Sequence, residues 1–129
     1  MTNLATDKHI SDLQREFAEA QTNGNVGQVL ETETNDVRIW KIRLKPGERV
    51  GYHRHVLNYF WVAVTSGKSR SRLSTGEIVE TEYSPGDCRY FSFGAGQHMI
   101  HDLTNIGDTD LIFTTVELKG SANPPLALK

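Results

Sequence analysis

The sequence has 129 residues, near the modal size of one domain and long enough to bury a core without disulfide or metal staples. Hydrophobic residues make up 37% and charged residues 23%, which excludes a disordered chain and an ordinary membrane protein, and no apolar run reaches the ~18 residues that read as a bilayer-spanning helix. Lys plus Arg total 14 against 16 for Asp plus Glu, and the resulting net charge of -2 gives no basis for expecting nucleic acid or an anionic membrane as partner.

Met1 to Asp7 lack the basic start and apolar stretch of a signal peptide. Cys88 is the single cysteine, so no intrachain disulfide can form; this fits a reducing compartment, and a soluble cytoplasmic protein is expected.

In chain order, the first expected element is a helix. Ile10, Leu13, Phe17 and Ala20 recur at spacings of three or four, Thr6 or Asp7 offers a cap, and Asn23-Gly24-Asn25 stops the pattern. From residue 28 onward the pattern changes to short runs rich in β-branched and aromatic residues: 28–32, 36–44, 58–65, 69–73, 78–83, 89–93, 99–105 and 111–118. Between them lie turn formers such as Lys45-Pro46-Gly47, Ser66-Gly67-Lys68 and Ser84-Pro85-Gly86-Asp87. The tail Gly120 to Pro125 cannot extend a ladder, because proline lacks the N–H. The expected organisation is a helix and linker over 1–27, an all-β sandwich or barrel over 28–119, and a tail over 120–129.

The histidines carry the chemistry. His53-Arg54-His55 on a strand would place two imidazoles side by side on one face. Neutral imidazole ligates Zn, Fe, Cu and Ni. His101 supplies a third nitrogen from a later strand, and three such ligands can cap one face of an ion while leaving positions open for water or substrate.

These residues resemble the cupin superfamily, whose fold is a small jelly-roll β-barrel. Its first motif runs Gly, five residues, His-x-His, three or four residues, Glu, six residues, Gly, and Gly47, His53, His55 and Gly67 match it. Gly86, Gly94, His101 and Asn105 match the second, preceded by the turn Pro85-Gly86-Asp87. Pro46-Gly47, His53-Arg54-His55 and the ending Val116-Glu117-Leu118-Lys119 resemble the small single-domain β-alanine-degradation-protein-like cupins.

Two positions depart from the motifs. The glutamate position falls at Phe60, or at Tyr59 with the shorter spacing, and Asn58 is the nearest alternative oxygen donor. The second motif's proline is Ser92; counting back from Asn105 puts the third ligand at His101, whereas counting forward from Gly94 ends near Gln97, one short of His98, the alternative.

The resemblance implies an all-β jelly roll with a short N-terminal helix, and a three-His site (His53, His55, His101) for a divalent transition metal: Fe, Zn, Mn or Ni. It implies a small-molecule ligand, with dioxygenase-type Fe(II) chemistry on one reading and a non-catalytic binding or accessory protein with a weak or vacant site on the other. A neutral three-His face leaves the ion its full charge, which favours an anionic metabolite. Tyr52, Asn58, Phe60, Tyr90 and His98 are the candidates for orienting the ligands or touching substrate.

With His53 and His55 inward, the pattern points Phe60, Val62 and Val64 inward on the next strand. It likewise points Ser69, Ser71 and Leu73 inward, with Lys68, Arg70 and Arg72 outward. Inward serines need partners and suggest a polar cavity. Arg38 either enters that cavity at a strand start or is solvated. Apolar residues on both faces of 36–44 and 58–65 predict an outer face covered by the helix or by the second subunit of a homodimer.

Overall fold

The computed structural model describes residues 4–129, with side chains from Ile10 onward. Helix α1 (Leu4–Glu19) starts before Thr6 and Asp7, so neither caps it; their side chains lie outside the described residues. The helix tightens into a 3₁₀ turn, Ala20–Thr22, and stops at Asn23. There the Asn23 N–H donates to the Ala20 carbonyl, while its side-chain oxygen accepts the Asn25 N–H, a local bond that competes with further helix.

Nine strands follow: β1 (Val29–Glu33), β2 (Val37–Leu44), β3 (Arg49–His55), β4 (Asn58–Ala63), β5 (Gly67–Arg72), β6 (Ile78–Tyr83), β7 (Cys88–Phe91), β8 (Met99–Asn105) and β9 (Leu111–Leu118). They form two antiparallel sheets, ordered β1-β2-β9-β4-β7 and β3-β8-β5-β6. This is the expected all-β jelly roll with a short N-terminal helix. The eight sequence runs omit β3, whose Arg49-Val50-Gly51-Tyr52 lacks a sustained β-branched pattern. Partnership with β8 makes it a strand.

Pro-Gly turns reverse the chain where expected. Gly47 and Gly86 have φ of 86° and 91°, a region glycine enters without steric cost. Asn105 ties down a third connection: its amide donates to the Leu44 and Thr109 carbonyls, and its oxygen accepts the Gly107 N–H. The tail folds back on the barrel, where Asn123 donates to the carbonyls of Val56 and Gly94 and the Leu126 carbonyl accepts from Arg38.

Burial alternates along the strands. On β9, Leu111, Phe113, Thr115 and Glu117 are buried, and β2 buries Arg38, Trp40, Ile42 and Leu44. Ile42, Leu44, Val50, Ala63, Tyr83, Leu111 and Phe113 form one packed cluster with Trp61 and Leu103 against it. Arg38 is buried, but it is paired with Glu33 at 2.7 Å rather than opening into a cavity.

One parity expectation is corrected. Tyr59, Trp61 and Ala63 are the inward residues of β4, and Phe60 pairs across the sheet with exposed Tyr90. Val64 is likewise exposed. The inward parity of His53 and His55 simply continues into Tyr59, Trp61 and Ala63, which is the shorter of the two motif spacings. Strand β3 does carry a bulge, since Val50 opposes Leu103 while His53 opposes His101, but it lies before the histidines and sets their phase against Val50. Among the described residues, no helix is long and apolar enough to cross a membrane.

Candidate metal centre

The bulged strand β3 and its neighbour β8 bring three histidines together. His53 opposes His101 in register, so both rings leave the sheet on the same face, and His55 follows two residues later on that face. His55 Nε2 lies 3.1 Å from His53 Nε2 and 3.0 Å from His101 Nε2. Among the described residues these three are the group of His, Cys, Asp or Glu side chains placed to share an ion. His98 lies exposed in the loop before β8 and takes no part, so the third nitrogen comes from His101.

The back of two rings is fixed by hydrogen bonds. His53 Nδ1–H donates to the Gly51 carbonyl at 2.7 Å. Ser71 donates its one proton to the Asp102 carbonyl at 2.7 Å, so its oxygen must accept from His101 Nδ1–H, also at 2.7 Å. Both rings therefore turn bare Nε2 lone pairs toward the cluster. His55 is held by stacking, with the Tyr59 ring 4.0 Å away at 17°. Its buried Nδ1 has no partner.

Burial pushes His53 down to about 4. Burial, reinforced by the neighbouring histidines, also drives His55 and His101 well below the ordinary imidazole range. All three are neutral at pH 7, the form that ligates metal.

This donor set fits a divalent ion. Three lone pairs crowd one point with at most one proton to share, an arrangement an electron-pair acceptor relieves. Two nitrogens each about 2.1 Å from one ion are about 3.0 Å apart at a right angle and about 3.4 Å apart at the tetrahedral angle. The two separations from His55 fall in this range.

The cluster opens into a cavity of about 300 Å³. Ser69, Ser71 and Leu73 of the β5 side border it, as the alternation on β5 predicts, and Ser69 is satisfied by the Tyr83 hydroxyl at 2.7 Å. Tyr59 and Phe91 form an aromatic wall, stacked 4.7 Å apart at 8°.

Four sequence-derived candidates do not border the cavity and are corrected here. Tyr52 lies on the outer face of β3 beneath α1, edge-on to Phe17. Asn58 spends its side-chain oxygen on the Phe93 N–H. Phe60 and Tyr90 face outward because β4 and β7 alternate opposite to expectation.

Three residues near the site escaped the sequence reading. Tyr59, placed above only as the alternative glutamate position, is by its parity the wall on His55. Arg89 points inward beside Phe91. Glu117, buried next to Tyr59 and Arg38 in register, accepts the Trp40 Nε1–H at 2.7 Å, and burial pushes it up to about 7. Alternation from Leu111 was the signal that could have exposed Glu117.

With the geometry in place, comparison with solved structures decides the fold. A cupin domain from Bordetella pertussis superposes with a TM-score of 0.63 at 25% identity, over 71% of this chain and 91% of that one. The fold is that of the cupins. A double-stranded β-helix protein from Klebsiella pneumoniae gives a TM-score of 0.58 at 24% identity, covering 79% of this chain and 84% of its own. A cupin with the same fold from Methanocaldococcus jannaschii gives 0.56 at 24%, covering 70% and 78%. The sequence matches no protein-family model and no curated protein. Within the cupin barrel, the three histidines stand on strands of the four-stranded sheet and face the interior.

Proposed function

We propose that this cupin binds a divalent transition metal through His53, His55 and His101 and uses it to bind, and in the enzymatic case transform, a small anionic metabolite. One observation carries the reading: three neutral imidazoles converge, with His55 Nε2 3.1 Å from that of His53 and 3.0 Å from that of His101, and the His53 and His101 rings are locked with Nδ1 protonated. When bound, such an ion supplies Lewis-acid polarisation of a ligand oxygen or, as Fe(II), dioxygen chemistry. The protein's own part is to orient His101 through Ser71 and His53 through Gly51, and to keep the site dry with the Tyr59–Phe91 wall.

A second reading, a ligand-binding cupin with a weakly held ion, is favoured by the orphaned Nδ1 of His55. Ligation through Nε2 leaves that nitrogen carrying a buried proton with no acceptor, at a cost of about 1–3 kcal/mol. Elemental analysis of untagged protein, followed by titration with Fe(II), Mn(II), Ni(II) and Zn(II), separates the two. Near-stoichiometric metal supports the first, and micromolar or weaker affinity for every ion supports the second. Oxygen uptake by the Fe(II)-loaded protein with candidate substrates tests catalysis.

We also propose a homodimer. Ile39, Phe60, Val62 and Val116 are half-exposed and Tyr90 is exposed on the outer face of the five-stranded sheet. Helix α1 packs instead on β3 of the other sheet. Light scattering at micromolar concentration should return twice the chain mass; a monomeric mass rejects this.

A further inference from the structure

The residues that border the cavity are almost all apolar or neutral. Arg89 and Glu77 are the two that carry full charges. Glu77 is exposed at the turn that leads into β6, where its backbone carbonyl accepts the Leu73 N–H. Arg89 stands on β7, the edge strand of the five-stranded sheet, and faces the same side as Trp61 opposite it. Val79 and Thr81 of β6, the edge strand of the other sheet, border the same opening.

Among the described residues the Arg89 guanidinium has no ion-pair partner. Seven arginines stand in chain order from Arg15 to Arg72; six of them form ion pairs, and Arg54 donates to the Gln21 carbonyl. Among the described residues, no carboxylate pairs with Arg89. Its contact is with a ring: the guanidinium carbon lies 4.7 Å from the Phe91 centroid, within cation–π range. That contact holds the flat group in place and leaves its N–H edges free. Arg89 is exposed at the mouth of the cavity, which it borders next to Phe91.

From Arg89 the wall continues inward. Phe91 stacks on Tyr59 at 4.7 Å, and Tyr59 stacks on His55 at 4.0 Å. A cation thus stands at one end of a continuous aromatic surface and the histidine cluster at the other.

We propose that Arg89 is the anion-recognition residue of this cavity and that the ligand is a small organic carboxylate with a flat apolar body. The carboxylate pairs with the guanidinium edge, and the body lies along Phe91 and Tyr59 toward the histidines. A planar fork of N–H donors matches a carboxylate in two parallel hydrogen bonds. One cation without an ion-pair partner, in a lining whose other full charge is the anionic Glu77 at the exposed turn, suits one negative charge better than a phosphate dianion. The volume of about 300 Å³ stands at the small end of ligand pockets, so the ligand is of metabolite size. This deepens the proposed function by naming the anion's chemistry and its contact; it rests on the cavity being the ligand site and not on metal being bound.

The test uses the full chain, as purified and again after chelator treatment. Benzoate and its neutral analogue benzamide are titrated while the fluorescence of Trp61, which borders the cavity, is followed. Benzoate should bind at least about ten-fold more tightly than benzamide, as a charge-assisted pair requires, and Arg89→Gln should reduce that ratio to about one. Arg89→Lys keeps the charge but loses the fork and should fall between. Equal binding of benzoate and benzamide by the wild type, no benzoate binding, or a ratio unchanged in Arg89→Gln overturns the proposal. Metal titration of the same proteins keeps the two readings apart. Arg89→Gln should bind metal like the wild type, and a protein that discriminates benzoate yet binds no metal would refute the metal site alone.

Discussion

Ser71→Ala isolates how much of the metal site depends on orientation. The Ser71 hydroxyl accepts from His101 Nδ1–H at 2.7 Å while donating to the Asp102 carbonyl at 2.7 Å. Alanine removes the acceptor and leaves a buried imidazole N–H unpaired, a penalty of about 1–3 kcal/mol. The ring can avoid that penalty by moving its proton to Nε2, but this fills the lone pair that should face the ion. Either way ligation weakens, and loss of a ligand's orienting partner typically reduces metal affinity about 10–100-fold. Isothermal titration with Mn(II) or Co(II) measures the loss. Nitrogen NMR of the imidazoles reports which His101 nitrogen carries the proton, a signal that a packing defect alone would not move. Ser71→Thr retains the hydroxyl and should restore most of the affinity. An Ala variant with affinity within about two-fold of wild type and His101 still protonated at Nδ1 would refute the reasoning, because the expected penalty exceeds that margin.

Three further outcomes follow from the same geometry. Glu117 is pushed up to about 7 from an ordinary value of 4.5 by burial, against the opposing Trp40 hydrogen bond and Arg38 charge and with the neighbouring Glu33 adding to the rise. An acid whose folded pKa is raised costs nothing below the unfolded value, loses stability as pH rises through the interval, and costs about 3 kcal/mol above it. Glu117→Gln should therefore match wild type near pH 4.5 and be more stable by up to that amount at pH 8, as read by denaturant melts at both pH values; equal stability at pH 8 would count against it. Phe60→Glu should leave metal affinity unchanged and weaken self-association, whereas Tyr59→Glu, on the inward face, should raise Mn(II) affinity, both measured by titration and sizing; the reverse pattern would restore the first register. Asp102→Asn should destabilise the fold by about 3 kcal/mol in thermal or denaturant melts, since it leaves two arginine contacts without their buried anion.

The barrel was legible because turn chemistry and β-branched runs are local properties, and eight of the nine strands announce themselves that way. The ninth, β3, does not. Its Gly51-Tyr52 insertion is meaningful only against β8, and pairing is a non-local fact that periodicity within one segment does not contain. The next strand was read one residue out of phase because the longer motif spacing, ending on Phe60, was preferred to the shorter one ending on Tyr59, which keeps the parity of His53 and His55. His101 was separated from His98 by the Asn105 end of the motif, and the structure shows why that end is the more rigid reference: Asn105 is buried and makes three hydrogen bonds to surrounding backbone, while His98 sits in an exposed loop. Arg89 was hidden for a different reason. An arginine on a short edge strand resembles any solvated one until its neighbours show that nothing pairs with it.

Strand β8 couples the site to the outside of the barrel. His101 faces inward, and by alternation Asp102 faces outward, where it is fully buried. Arg72 reaches Asp102 from β5 through two side-chain N–H groups at 2.9 and 2.6 Å, and Arg49 reaches it from β3 at 3.0 Å. Arg49 also grips Glu16 of α1 with two bonds of 2.8 and 2.7 Å, and Glu16 accepts the Tyr52 N–H from the bulge. Three strands and the helix are thus pinned to one carboxylate directly behind a metal-site histidine. A surface ion pair would stabilise little, but Asp102 is desolvated and its partners only partly exposed, so geometry here is held at an energetic premium. The histidine positions follow from this outer clamp as much as from the cavity. The bulge that presents His53 is fastened by Glu16, and the strand that presents His101 is fastened by Arg49 and Arg72. The N-terminal helix, none of whose described side chains borders the cavity, is on this argument a part of the site's rigidity.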